Sequence, residues 1–250
     1  MDEEQKLFEE FKKYISLKKK REVKKEPEKK VLNSKNGNVL CIGDLHCPFV
    51  KEGYLEHCIA TAKRFDCGDI MFMGDVIDGN STGFWKPDPD GMSPIDEFEL
   101  AVTILNDWYE AFPNAKIVYG NHDLHGPRKL FDAGLPGFWV KSLKERLGAP
   151  EGWEFAFNFI IDTVSYTHGA GSANSAMKFY SNSAVFGHLH SQGMVNYVND
   201  GEKTKFFMQV GCGIDVEQYA FKYAKECIKK PILSCAVVLG YGKEGHIIPM

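Results

Sequence analysis

Lys116-Ile117-Val118-Tyr119-Gly120-Asn121-His122-Asp123 is a short apolar run that stops abruptly in an amide, an imidazole and a carboxylate. The run reads as a buried strand, and the residues after it sit at one edge of a sheet. The same plan recurs on both sides. Val39-Leu40-Cys41-Ile42-Gly43 ends in Asp44-Leu45-His46, and Ile70-Met71-Phe72-Met73 ends in Gly74-Asp75-Val76-Ile77-Asp78. Further on, a run ending at Thr167 leads into His168-Gly169, and Ala184-Val185-Phe186 leads into Gly187-His188-Leu189-His190.

The segments between these strands set the fold class. Residues 54–65 carry Leu55, Ile59, Ala62 and Phe65 on one helical face. Phe98, Ala101, Val102, Leu105, Trp108, Tyr109 and Phe112 form a second amphipathic helix that Pro113 ends. Strand, helix, strand, helix, strand in this rhythm predicts βαβ units with a parallel sheet, and such sheets place ligands at the C-terminal ends of their strands. Beyond residue 137 the pattern predicts a helix over 138–147 and a strand pair over 154–161 and 163–167. It then predicts a short helix over 173–181 and strands at 193–198, 204–210, 234–239 and 245–248.

Five of the eight histidines lie in the strand-end blocks. Carboxylate, amide and imidazole ligands suit borderline or hard divalent cations, with manganese first and zinc, iron or nickel also matched, and they do not suit a thiolate site. Asp-x-His and His-x-His put alternate residues on one side of an extended chain, so both members of a pair reach one centre.

Composition narrows the classes further. Hydrophobic residues make up 44% and charged residues 26% of 250, ordinary for a chain that buries a full core. A formal net charge of −4 gives no global pull toward nucleic acid or membrane. No run of eighteen apolar residues predicts a membrane-spanning helix, and Met1-Asp2-Glu3-Glu4 lacks the apolar stretch of a signal peptide, so a cytoplasmic protein is expected. Seven cysteines without Cys-x-x-Cys spacing read as reduced, mostly buried thiols. Leu7, Phe8, Phe11, Tyr14 and Ile15 make one helical face, and Lys18 to Lys30 holds eight Lys or Arg against three Glu. Residues 1–30 are therefore expected to be a charged N-terminal helix and a basic linker, with the globular domain at 31–250. The linker could instead be a basic arm that touches nucleic acid.

In order, Asp44-x-His46, Gly74-Asp75-x-x-Asp78, Gly120-Asn121-His122-Asp123, His168 and Gly187-His188-x-His190 resemble the blocks of the calcineurin-like metallophosphoesterases. Asp88-Pro89-Asp90-Gly91, Ala133-Gly134-Leu135-Pro136 and the run Met208 to Asp215 are similar to phage- and prophage-encoded members. The resemblance implies an α/β fold, a four-layer α/β/β/α sandwich of two mixed sheets flanked by helices, with a dimetal site at the strand C-terminal ends. It implies that Asp44, His46 and His190 hold one divalent metal ion, that Asn121, His168 and His188 hold the second, and that Asp75 bridges them. Two metals about 3.5–4 Å apart clamp a phosphate and activate a water that attacks phosphorus. His122 would protonate the leaving group, oriented by Asp78 or Asp123, with Asp78 favoured by analogy.

One departure bears on the substrate. Where the protein-phosphatase branch continues the second block with a phosphate-gripping Arg, this chain has Gly79-Asn80. Arg128 could supply a phosphate contact instead, beside Lys129, or both could be a solvated surface pair. His125 could line the substrate cleft or be an exposed loop residue. Phe84, Trp85 and Lys86, on the loop from Gly79 to Pro94, could cap an organic group or pack on the surface. The leading expectation is a dimetal phosphodiesterase acting on a nucleotide or nucleic acid. A broad phosphomonoesterase is the alternative, and a non-catalytic nucleic-acid-binding scaffold is a third class, against which His122 counts because a scaffold has no use for a proton donor.

Overall fold

The computed structural model describes residues 29–83, 91–169, 171–177, 180–218 and 230–250. The expected helical face at 1–17, most of the basic run, Phe84, Trp85, Lys86 and Cys227 lie outside these residues. Lys29 and Lys30, read as linker, instead belong to strand β1 (Lys29–Leu32), where Lys29 pairs with Asn158 and Lys30 Nζ meets Glu154 at 3.2 Å.

Alternation of side chains along each strand decides what packs where. In β2 (Val39–Ile42), Leu40 and Ile42 face a helical layer while Val39 and Cys41 face the opposite sheet. In β3 (Asp69–Phe72), Phe72 and Met71 divide the same way, as do Ile117 and Val118 in β4 (Ala115–Val118), and Phe155 and Ala156 in β5 (Trp153–Ala156). These four strands run parallel in the order β2-β3-β4-β5. They are crossed over by α1 (Tyr54–Arg64) and α2 (Pro94–Ala111), the two helices expected from periodicity. Ser93 caps α2 by accepting from the Asp96 amide, with Pro94 in its first turn. The helix buries Leu105 and Trp108, and Trp108 meets Phe72 edge-on at 5.7 Å. Truncating such a fully buried aromatic costs about 3–5 kcal/mol. Strands β11 (Ser234–Leu239) and β12 (Glu244–Pro249) close the far side of this sheet antiparallel.

A second sheet orders its strands β1-β6-β7-β8-β10-β9, with β6 (Asn158–Ile161), β7 (Val164–Thr167), β8 (Ala184–Phe186), β9 (Met194–Asn199) and β10 (Thr204–Gln209). Phe159, Ile161, Tyr166, Val185, Phe206 and Met208 interlock with the inner face of the first sheet. On the outer face, Phe186 and Phe207 pack with Ala173 of the short helix α5 (Ala173–Ala176). The result is two mixed sheets face to face, flanked by helices.

Three expectations change. The strand expected over 154–161 is two strands that part at Phe157. β5 completes the first sheet, and β6 enters the second, where it pairs antiparallel with β7. The helix expected over 138–147 is a 3-10 turn, Gly137–Trp139, followed by α4 (Leu143–Leu147). Ser142 and Glu145 form a reciprocal cap that starts the helix afresh. Residues after His122, read as loop, contain α3 (His125–Asp132). The six described cysteines are free. Among the described residues no helix is long and apolar enough to cross a membrane.

Candidate metal centre

Every expected block leaves the C-terminal end of a strand at the rim shared by the two sheets. The β2 and β3 tips are tied by backbone bonds, His46 N to Asp75 O at 2.9 Å and Cys47 N to Val76 O at 3.0 Å. His46, Asp75 and His188 have positive φ, at 51°, 47° and 73°. Non-glycine residues in this region cost on the order of 1–3 kcal/mol each and persist where the surroundings over-determine them. The glycines of the motifs have a steric reason. A Cβ on Gly120 would collide with the Asp75 amide and carboxylate, and one on Gly187 with Asp44 Oδ1 and, at 2.6 Å, the Met73 carbonyl.

Two groups of ligand-type atoms share Asp75. In one, Asp44, His46, Asp75 and His190 bring one donor atom each within 4.8 Å of one another, and His190 Nε2 lies 3.1 Å from Asp44 Oδ2. In the other, His168 Nε2 lies 3.1 Å from Asp75 Oδ2, and Asn121 Oδ1 lies 3.0 Å from His168 Nε2 and 2.9 Å from His188 Nδ1. The second group again has Asp75, His168 and His188 within 4.8 Å. The seven residues named for metal binding therefore converge as two clusters joined through one carboxylate.

The hydrogen bonds select the ligating atoms. The Met73 carbonyl can only accept, so His168 Nδ1–H donates to it at 2.8 Å and Nε2 faces the cluster. His46 Nδ1–H donates to Asp78 Oδ1 at 2.6 Å, which turns Nε2 toward Asp75 Oδ2 at 3.6 Å. Asp44 is fully buried, and its Oδ1 has no hydrogen-bond partner. A bare buried carboxylate oxygen among imidazoles is costly unless a cation compensates it, so the donor set fits divalent ions with mixed O and N ligands.

Charge in the cluster agrees. Burial disfavours a charged His168, but Asp75 and Asp44 outweigh it and hold this imidazole up at about 10. Burial works against ionising Asp75 as well, and His168 with His46 overrides it and holds the carboxyl well below its usual range. A cation bound here would have to displace that proton from His168. A folded value raised from the ordinary 6.5 adds stability that is complete below pH 6.5 and lost as pH rises through about 10. In chelator, the melting temperature is expected to fall by on the order of 5 °C between pH 7 and 10. His168→Asn should flatten that slope, and equal slopes in the two proteins would refute the ion-pair account.

Three residues named as catalytic have distinct surroundings. His122 Nδ1–H donates to the Asp78 carbonyl at 2.7 Å, its ring meets the His46 ring edge-on at 4.4 Å, and its side chain is 23% exposed. His46, Asp78 and His122 also form a third group of ligand-type atoms. The Nδ1 atoms that approach Asp78 are its hydrogen-bond donors, however, and have no lone pair for a metal. Asp78 reaches His122 mainly through its carbonyl, and its carboxylate holds His46; burial, Glu97 and Asp75 push that carboxyl well up. Asp123 does not orient His122. Its buried carboxylate accepts from the amides of Asp75, Val76 and Gly120 at 2.9–3.0 Å and of Ile77 at 3.3 Å, which ties the β3 tip to the β4 tip.

The residues named for substrate binding are not brought together in the same way. His125 is not an exposed loop residue. It is buried at the start of α3, its ring 4.4 Å from that of His122, and burial together with His122 pushes it down to about 4. Arg128 and Lys129 are exposed on α3, with no hydrogen bond or ion pair to the cluster among the described residues. Trp85 lies outside the described residues. Two contributors escaped the sequence. The Met73 carbonyl sets the His168 tautomer, and main-chain groups carry no sequence signal. Glu97, buried on α2, accepts from the Asn80 amide at 2.8 Å and anchors the turn after Asp78. Its position in the first turn of an amphipathic helix reads as ordinary polar surface.

No family model and no curated protein matches this chain. Among solved structures, the chain is similar to a candidate diadenosine tetraphosphatase at 15% identity, covering 89% of this chain and 98% of that one, with a TM-score of 0.44. It is also similar to the nuclease MPE of Pseudomonas putida at 12% identity, covering 84% of this chain and 87% of that one, with a TM-score of 0.36. Both likenesses are distant, and the fold rests on the strand order and packing described above.

Proposed function

We propose that this chain is a dimetal phosphoesterase that hydrolyses a phosphodiester of a nucleotide or nucleic acid. The observation that carries the reading is two ligand clusters sharing Asp75, with His122 beside them but held outside by its Nδ1–H bond to Asp78. Asp44, His46, His190 and Asp75 would hold one ion, and Asn121, His168, His188 and Asp75 the other. When bound, the ions supply Lewis-acid polarisation of a phosphoryl oxygen and a water that ionises near neutral pH.

The chain's own residues do the rest. His46 and His168 present Nε2 because their Nδ1–H groups are tied to Asp78 and Met73. Asp123 fixes the backbone that carries Asp75 and Gly120. His122, with Nδ1–H anchored, has Nε2 left to carry a second proton and give it to the leaving oxygen. The preference for a diester follows from charge. Asp78 is followed by Gly79-Asn80, where the protein-phosphatase branch carries the Arg that grips a phosphate with two negative charges.

The test is a manganese-loaded preparation assayed on bis-p-nitrophenyl phosphate and p-nitrophenyl phosphate, with and without chelator. Diester turnover should exceed monoester turnover and vanish with chelation. Turnover that survives full metal removal would sink the reading, and a monoester preference would overturn its substrate half.

A further inference from the structure

Helix α3 and the turn after it expose several large apolar side chains. Phe131 is 74% and Trp139 71% exposed, with Leu135 at 44% and Leu130 at 37%. The Gly134 amide donates to the Phe131 carbonyl at 2.9 Å and the Leu135 amide to the Leu130 carbonyl at 2.9 Å. These bonds close the helix end and fold Leu135 back beside Leu130 and Phe131. Four large apolar side chains exposed within residues 130–139 mark a contact surface. The same stretch, 125–141, exposes Arg128, Lys129 and Lys141 against Asp132 alone, in a chain whose net charge is −4.

Charge separates the possible occupants. A second copy of this chain in a two-fold pairing would bring the patch against itself, cation to cation. The surface instead calls for a partner with negative charge and flat apolar faces. An unpaired nucleic-acid strand has both, because its bases are free to stack on aromatic side chains while its phosphates meet Lys and Arg. A duplex hides those faces in its own stack. Position agrees as well. α3 begins at His125, whose ring touches that of His122, and Phe131 lies about 9 Å further along the helix axis.

We infer that the exposed face of α3 and the turn after it, centred on Phe131 and Trp139 with Arg128 and Lys129, is a binding track for single-stranded nucleic acid that leads to His122. This rests on the phosphodiesterase reading for its purpose, but not for its test. Binding is measured on the full chain in chelator, where hydrolysis cannot occur, by fluorescence anisotropy with labelled single-stranded DNA and RNA 15-mers and the matching DNA duplex.

Single strands should bind with dissociation constants on the order of 10⁻⁴–10⁻⁶ M, falling steeply with salt, and more tightly than duplex. Phe131→Ala with Trp139→Ala should weaken single-strand binding about tenfold or more. Arg128→Glu with Lys129→Glu should reduce the salt slope by about two. Tyr241→Ala, an exposed aromatic in the turn between β11 and β12, should bind as the parent does. The inference is overturned if both double variants bind like the parent, or if duplex binds as well as single strand. It is also overturned if the parent self-associates and the aromatic double variant does not, which would make the patch a subunit interface. Binding as expected without diester turnover in metal would refute the catalytic reading and leave the track standing.

Discussion

His122→Ala is expected to lower kcat on a dinucleotide by about 10²–10⁴-fold while leaving the bound metal content unchanged. The size is that of a lost general acid. The metal half follows from geometry. The Nδ1–H of His122 is committed to the Asp78 carbonyl at 2.7 Å, and the residue belongs to neither cluster that contains Asp75. A leaving group that departs easily needs little protonation, so the loss should be smaller for p-nitrophenol than for a nucleoside alcohol. That dependence separates a proton donor from a residue that only shapes the site, whose removal would slow both substrates alike. Elemental analysis and the two turnover rates settle the matter. Loss of one ion with the side chain would place a metal in the His46-Asp78-His122 group and remove His122 as the acid.

The strand-end pattern was readable because it has a period and a consequence. Apolar runs of four or five residues ending in Gly-Asp, Gly-Asn-His or Gly-His-x-His locate both the parallel sheet and its ligand edge, and Gly120 and Gly187 turn out to be required by contacts with Asp75 and Asp44. The ligand types could be read from composition alone. What could not be read was partnership. Asp123 follows His122 directly and Asp78 lies 44 residues before it, yet it is Asp123 that is drawn away, to four amides at the junction of two strand tips. Only the approach of β3 to β4 decides that. The switch of sheet at Phe157 was hidden for a related reason. Only Phe157 separates β5 from β6, and an aromatic residue without a neighbouring Gly or Pro gives no turn signal between two strands. α3 has little signal in the sequence, since its first turn holds Gly126 and Pro127, although Pro is well tolerated there.

Asp75→Asn is expected to lower divalent-ion affinity on the order of 10³-fold, at both positions together, and to abolish turnover at metal concentrations that saturate the parent. The carboxylate is 1% exposed, and its charge faces His46 and His168 from within both clusters. Removing one partner of such a buried arrangement typically costs 3–5 kcal/mol. Asn keeps the shape and the oxygen that accepts the His122 amide at 2.8 Å, so the backbone of the β4 tip should stay in place and the effect should be one of charge. Asp44→Asn provides the contrast. Asp44 belongs to one cluster only, so that variant should lose one ion and retain the other. A second readout needs no activity. With Asp75 neutral, His168 loses the carboxylate that does most to hold its proton, so the fall in melting temperature of the metal-free protein between pH 7 and 10 should shrink toward that of His168→Asn. Calorimetric titration of manganese into the two aspartate variants, beside their pH–melting curves, checks both halves. If Asp75→Asn lost one ion and kept the other at parental affinity, Asp75 would not be the shared ligand, and the two clusters would have to be treated as separate sites.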